Sequence, residues 1–241
     1  METTAPTSGY RVEELLQRFD SRIDGQTNLT GRLSSLFGEA VLVEALAHAY
    51  VAAGHRVGRL LGSPHRDDSV FAAGKRPSQR DLDAWLSIDE RELVAVECKT
   101  WTASSRDGRH VLDASQDDLS RYAQDQWTYV SETLLPAEPE DWDDVNKIRL
   151  PLKVPDGYEH KSHEITRVLA IWRPVSQSGL SPWTTVTCRT PIGHDDWADV
   201  PVKVFSGSLY LRQLRASGIA VLPSVVTDPH DVRDAVNACI C

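Results

Sequence analysis

Hydrophobic positions along the chain switch between helical and strand spacing, and the switches mark its elements. Val12, Leu15, Leu16 and Phe19 recur at helical spacing within Tyr10 to Phe19 and predict a short amphipathic helix, followed by a Gly/Asn/Thr loop. Leu36, Val43, Leu46, Ala47 and Tyr50 predict a longer helix from about Leu33 to Ala53, stopped by Gly54. His55 to Leu61 and Ser69 to Ala73 are alternative next strands, and strand propensity favours the first. Two apolar runs, Leu82 to Ile88 and Leu93 to Thr100, flank the charged tetrad Asp89, Glu90, Arg91 and Glu92 and predict a β-hairpin. Asp113-Ala-Ser-Gln116 reads as a capping box for a helix whose apolar face is Leu119, Tyr122, Ala123, Trp127, Val130 and Leu134, ended by Pro136. Strands are expected over Ile165 to Val175, Thr184 to Cys188 and Val200 to Phe205. Ser206-Gly-Ser208 then caps a helix carrying Leu209, Leu211 and Leu214 as far as Gly218, and Ile219 to Leu222 gives a last strand. Asp228-Pro229 opens a terminal helix with Val232, Ala235, Val236 and Cys239 facing inward.

The hairpin repays closer reading. Strand side chains alternate faces, so Asp81, Asp83, Trp85 and Ser87 share one side and Leu82, Ala84, Leu86 and Ile88 the other. On the second strand Glu97 and Lys99 share a face, with Val94, Val96 and Cys98 opposite. One sheet face is expected to carry the core and the other to collect carboxylates and one lysine. Asp83 meets Glu97 only if paired numbers sum to an even value. Pairing them sets Ile88 opposite Glu92 and leaves Asp89, Glu90 and Arg91 as the loop, with no glycine for a left-handed position.

Composition narrows the class. A chain of 241 residues buries a sizeable core, and no apolar run approaches the length needed to span a bilayer. The N-terminal segment lacks a basic region and an apolar core, so a cytoplasmic protein without membrane association is expected. Cys98, Cys188, Cys239 and Cys241 form no CxxC pair, against a zinc knuckle or a disulfide framework. A formal charge of −9 is unusual for a DNA-binding protein, but its distribution matters more. Gly54 to Arg80 carries Arg56, Arg59, Arg66, Lys75, Arg76 and Arg80 against Asp67 and Asp68, a candidate phosphate track. Asp113 to Asp144 holds ten acids against Arg121, the whole negative excess. This acidic region, with a surface insertion expected at about 136–163, is a candidate docking site for a partner protein. Gly193-His194-Asp195-Asp196 has turn composition rather than that of a metal cluster.

The chemistry concentrates in the hairpin. Two carboxylates, Asp83 and Glu97, repel one another unless a cation lies between them. Their oxygens, with a backbone carbonyl such as that of Cys98 and several waters, suit the hard ion Mg²⁺. Lys99 is placed to orient or deprotonate a metal-bound water, or to neutralise charge developing on a phosphate.

Asp83, followed after an apolar strand by Glu97-x-Lys99, resembles the PD-(D/E)XK nuclease superfamily, with Leu82 where the family name has proline. The match is strong over the hairpin and looser over residues 34–135. It implies an α/β fold: a restriction-endonuclease-like αβββαβ core, with a central mixed sheet flanked by helices. Residues 1–30 would be an N-terminal helical extension and 31–241 a single nuclease-like domain. The resemblance further implies an Mg²⁺-dependent endodeoxyribonuclease, with Mn²⁺ able to substitute, acting in phage defence, restriction or repair. Asp83, Glu97 and the Cys98 carbonyl would hold metal, Lys99 would act on water, and a glutamate of the first core helix would assist. Glu39 and Glu44 are the candidates, and Glu39 is favoured because it shares a face with Val43, Leu46 and Tyr50, whereas Glu44 lies on a different stripe and reads as a solvated carboxylate. Arg66, Lys75, Arg76 and Arg80 would contact DNA, and a homodimer is expected because two strands need two cuts. The alternative is a catalytically inactive nuclease-fold subunit that binds nucleic acid or a protein partner in a larger complex. Gln116 and Tyr122 are left to capping and packing.

Overall fold

The computed structural model describes residues 9–20, 28–60, 82–100, 114–135, 148–149, 152, 154–155, 157–158, 163–191 and 196–226. In chain order the elements are β1 (Gly9–Arg11), α1 (Val12–Asp20), α2 (Asn28–Ala52), β2 (Val57–Arg59), β3 (Ala84–Ile88) and β4 (Glu92–Lys99). There follow α3 (Gln116–Tyr129, continued by a π-helical turn Val130–Leu134), β5 (Glu164–Ile171), β6 (Trp183–Pro191), β7 (Trp197–Ser206), α4 (Gly207–Ala216) and β8 (Val221–Pro223). A six-stranded mixed sheet in the order β2-β3-β4-β5-β7-β6 forms the centre. β2, β3 and β4 run antiparallel in sequence, β4, β5 and β7 are parallel, and β6 returns antiparallel on the outer side of β7. β1 and β8 pair as a separate two-stranded ribbon beside the helices.

Helices cover one face and a mixed layer covers the other. Ala84, Leu86, Ile88, Val94, Val96, Cys98, Val168 and Ala170 pack with the apolar sides of α1, α2 and α4. Trp85, Leu93, Ala95, Leu169 and Ile171 pack with Val130, Leu134, Leu135 and Ile148 on the opposite side. This corrects the expectation of one apolar and one charged sheet face. Strands that lie beside parallel neighbours are buried on both sides, and the unbroken run Leu93-Val-Ala-Val96 is that pattern. Trp85 is therefore core, and charge is confined to the ends of β3 and β4. Leu82 also changes side, packing with Trp85 rather than Ala84, because β3 begins only at Ala84.

The hairpin register agrees with the sequence reading. Ile88 pairs with Glu92 and Ala84 with Val96, leaving Asp89, Glu90 and Arg91 as the loop. Without glycine, Asp89 (φ 51°) and Glu90 (φ 60°) take left-handed conformations, a cost to which Asp is more tolerant than most residues. The Asp89 side chain offsets it by accepting from Arg56 N (2.8 Å) and bonding His55 Nδ1 (2.8 Å). Those bonds hold its carboxyl below the ordinary range, the histidine contact first and the Arg56 amide second. They also tie the loop to the start of β2, which is the first of the two candidate strands.

Two further expectations change. The cap of α3 is Ser115, whose hydroxyl accepts from Asp118 N at 3.2 Å, rather than Asp113. Within the stretch expected to be a surface insertion, Ile148 and Arg149 are buried, with Arg149 only 2% exposed. Its Nη1 donates to Leu135 O at 2.5 Å and its Nε to Arg189 O at 3.1 Å, so this turn joins the end of α3 to β6. The terminal helix expected after Asp228 lies outside the described residues. Among the described residues no helix is long and apolar enough to cross a membrane.

Candidate active site

Two strand ends and one helix place the hairpin chemistry. The paired register ends with Ala84 on Val96, and Asp83, the residue before β3, bonds the main chain of Val96 and Cys98 on either side of Glu97. β3 has ended there, so the carboxylate of Asp83 takes the place of a strand neighbour. Its Oδ2 accepts from Cys98 N at 2.6 Å, and its own N–H donates to Val96 O at 3.1 Å. Glu97 alternates with Leu93 and Ala95 and so faces the α3 side, where it is 1% exposed. Lys99 follows on the same side and reaches Glu97 Oε1 at 3.0 Å, with 14% of its side chain exposed.

Cys98 occupies the opposite side of β4. Its thiol lies 4.0 Å from the main-chain carbonyl of Glu39 on α2. Burial raises the thiol pKa well above its ordinary value, and the charges of Asp83, Glu39 and Glu97 add to the rise while Lys99 opposes it. Cys98 therefore stays a neutral thiol at physiological pH and is no nucleophile.

The donor chemistry at this point is hard oxygen: two carboxylates on adjacent strands with a main-chain carbonyl between Glu97 and Lys99. That set fits Mg²⁺, which binds through one or two carboxylates and keeps several waters. Among the described residues no three His, Cys, Asp or Glu side chains stand close enough to hold a metal between them. Glu39 on α2 raises the Cys98 thiol pKa by its charge and completes no such group with Asp83 and Glu97.

Glu44 is placed differently from the sequence expectation of a solvated carboxylate. It is fully buried, and it accepts from Val225 N (2.7 Å), Val226 N (3.2 Å) and Ser224 Oγ (3.4 Å). It therefore anchors the segment after β8 and lies outside the candidate site. Glu44→Ala removes a charged acceptor from buried N–H groups and is expected to cost about 3 kcal/mol, lowering the melting temperature by roughly 10 °C. A calorimetric scan checks this.

Trp85 serves packing and Trp101 lies outside the described residues, as do Arg66, Lys75, Arg76 and Arg80 of the expected DNA track. On the α3 side, just beyond β5, Arg173 Nη1 donates to Gln126 Oε1 of α3 at 3.2 Å. Neither residue has a sequence signal of its own. Gln126 stands beside the apolar Trp127, and Arg173 follows the buried Trp172, so spacing alone reads both as the polar flanks of core elements. No protein-family model, curated protein or solved structure matches this chain.

Proposed function

We propose that this chain is a divalent-metal-dependent nuclease that hydrolyses phosphodiester bonds of DNA, built on a restriction-endonuclease-like αβββαβ core. The observation that carries the reading is the end of the β3–β4 hairpin. There Asp83 bonds the main chain of Val96 and Cys98 on either side of Glu97, and Lys99 is bonded to Glu97 at 3.0 Å. The order α2, β2, β3, β4, α3, β5, in which three antiparallel strands are followed by a helical crossover to a parallel strand, supports the same core.

Each residue has a separable task. Asp83 and Glu97 hold the cation, with the Cys98 carbonyl beside them, and Glu39 adds negative charge from α2. A divalent cation bound there would polarise a phosphoryl oxygen and lower the pKa of a coordinated water. Lys99, fixed by Glu97 and partly exposed, donates a proton or a hydrogen bond where charge develops on the phosphate. Burial of the surrounding sheet keeps these charges in low dielectric, where they act more strongly than in water.

A second reading has an observation of its own. Lys99 pairs with Glu97 Oε1 and Asp83 caps Cys98 N, contacts that hold the end of the hairpin without any ligand. The chain would then be a catalytically inactive subunit that binds nucleic acid or a protein partner. Plasmid nicking separates the two readings. The nuclease reading expects relaxed circles in Mg²⁺ or Mn²⁺ and none in EDTA. Metal-independent binding without cleavage of duplex DNA, single-stranded DNA or RNA would select the subunit reading.

A further inference from the structure

We infer that the groove between the end of α2 and the β6–β7 edge of the sheet binds a small ligand in which a planar aromatic ring carries an anionic group. That chemistry is shared by a nucleoside monophosphate and an aryl carboxylate. The groove lies apart from Asp83, Glu97 and Lys99, and the inference does not rest on the nuclease reading.

The sheet builds the floor. In the antiparallel β6–β7 register Trp183 pairs with Phe205 and Thr185 with Lys203. Paired residues and residues two apart share a face, so these side chains lie on one side of the sheet. Phe205 belongs to the core under α2 and Trp183 packs against it, which identifies that side. Glu97 faces the α3 side, so the groove and the buried hairpin carboxylate are on opposite faces.

Aromatic rings and a cation line the groove. Tyr50 comes from the end of α2 and His55 from the turn after it. Tyr50 meets Trp183 edge-on, with ring centroids 5.8 Å apart and planes at 76°, and meets His55 at 6.0 Å. With Thr185 and Lys203 they border a cavity of about 330 Å³. Small-molecule pockets run from about 300 to 1,000 Å³, so this one takes a single small ligand rather than a polymer. Aromatic walls favour a flat ring, which stacks on one face or meets another by its edge.

Charge selects the anion. Lys203 lies beside the buried Val168 of β5, on the core side of β7. Charged residues in such positions are normally paired. Among the described residues Lys203 has no ion-pair or hydrogen-bond partner, and none of those lining the groove is acidic. An anionic ligand supplies the counter-charge in a charge-assisted hydrogen bond. Tyr50 adds a second open group: it is 9% exposed, and its buried hydroxyl makes no hydrogen bond among the described residues. Burial first, and the charge of Glu92 second, raise its pKa and keep it a donor. Buried polar groups are nearly always bonded, and one left open at a cavity wall suits a ligand acceptor.

The rim is fixed in advance. His55 Nδ1 bonds Asp89 Oδ2 at 2.8 Å, and Asp89 Oδ1 accepts from Arg56 N at 2.8 Å. The imidazole is thus oriented without the ligand, which lowers the ordering cost of binding.

The test is calorimetric titration in EDTA, so that the hairpin carboxylates hold no metal. The probes are adenosine 5′-monophosphate, indole-3-carboxylate, adenosine and inorganic phosphate. Wild type is compared with Lys203→Met, Trp183→Leu, Thr185→Trp and Asp83→Ala, each first shown to be folded by thermal melting. Wild type is expected to bind at least one of the two ring-bearing anions saturably, about tenfold or more tighter than adenosine or phosphate. Whichever anion binds names the source of the ligand. Lys203→Met should weaken that anion about tenfold and leave adenosine unchanged, which a merely structural lysine would not do. Trp183→Leu should weaken it about tenfold. Should that variant fail to fold, Thr185→Trp at an exposed position fills the groove and is expected to abolish binding. Asp83→Ala should bind as wild type does. The inference falls if folded wild type binds neither anion, if phosphate alone binds as tightly, or if Lys203→Met matches wild type. It falls equally if Asp83→Ala loses the binding, which would put the ligand at the hairpin. Each of these failures leaves the nuclease reading as it stands.

Discussion

Lys99→Met is expected to nick plasmid at about one hundredth of the wild-type rate or less, the usual cost of removing a group that stabilises transition-state charge. It also carries a stability cost that must be separated from the chemical one. Glu97 is 1% exposed and Lys99 is its ion-pair partner, so the single variant leaves a buried carboxylate without that partner, at about 3 kcal/mol. The double variant Glu97→Gln with Lys99→Met removes the stranded charge and is expected to recover most of the lost melting temperature. It should recover none of the activity. A Lys99→Met protein that nicks at the parental rate would remove lysine from the mechanism, and a double variant that regains activity along with stability would show that only folding had been lost. Added Mg²⁺ is expected to stabilise the single variant more than wild type, because the cation then takes over from the missing ammonium beside Glu97.

Arg149→Met is expected to be the most destabilising substitution away from the candidate site, at about 4 kcal/mol, with a fall in melting temperature of roughly 10 to 15 °C. Its guanidinium spans the carbonyls of Leu135 and Arg189, both Nε and Nη2 reaching the latter, and so joins the end of the α3 π-helical turn to β6. Methionine keeps much of the volume but leaves buried carbonyl oxygens without a charged donor. Arg149→Lys should rescue little, since one ammonium does not reproduce a planar fork. Nearby, Arg167 Nη1 donates to Ile148 O at 2.7 Å, and burial pushes that guanidinium down to about 10, so it remains charged at neutral pH. The Cys188 thiol is pushed up to about 11 by the same burial, against the pull of Arg149 and Arg167, and stays protonated. Equilibrium unfolding in urea checks the prediction. A change under about 1 kcal/mol would show that the carbonyls find other donors.

The parts of this fold that were legible in the sequence are those set by near neighbours along the chain. Alternation and an odd-numbered loop predicted the hairpin register, and the structure has Ile88 on Glu92 as that reasoning requires. Ser206 was readable as a helix cap because its partner, Leu209 N, lies three residues on. What escaped depends on residues far away in sequence. Glu44 is charged and so suggested solvent, yet its partners lie 180 to 182 positions along the chain. Arg149 lies among acidic, Pro-containing and irregular segments, and charged residues are rarely buried without specific partners. The carbonyls of Leu135 and Arg189, distant in sequence, accept from its guanidinium where it is buried. The second buried sheet face had a local signal, the run Leu93-Val-Ala-Val96, which marks a strand covered on both sides. For the candidate site, sequence supplied Asp83, Glu97 and Lys99, and the structure added the Cys98 amide on Asp83.

The most direct measurement is calorimetric titration of Mn²⁺ into wild type and Asp83→Ala, read beside plasmid nicking by the same two proteins. Asp83 also accepts from Cys98 N, so the variant must first be shown to be folded at the titration temperature. The account predicts saturable Mn²⁺ binding and nicking by wild type, and loss of both in a folded Asp83→Ala protein. Absence of metal binding and nicking from folded wild type would contradict it and leave Asp83, Glu97 and Lys99 as a structural lock on the end of the hairpin.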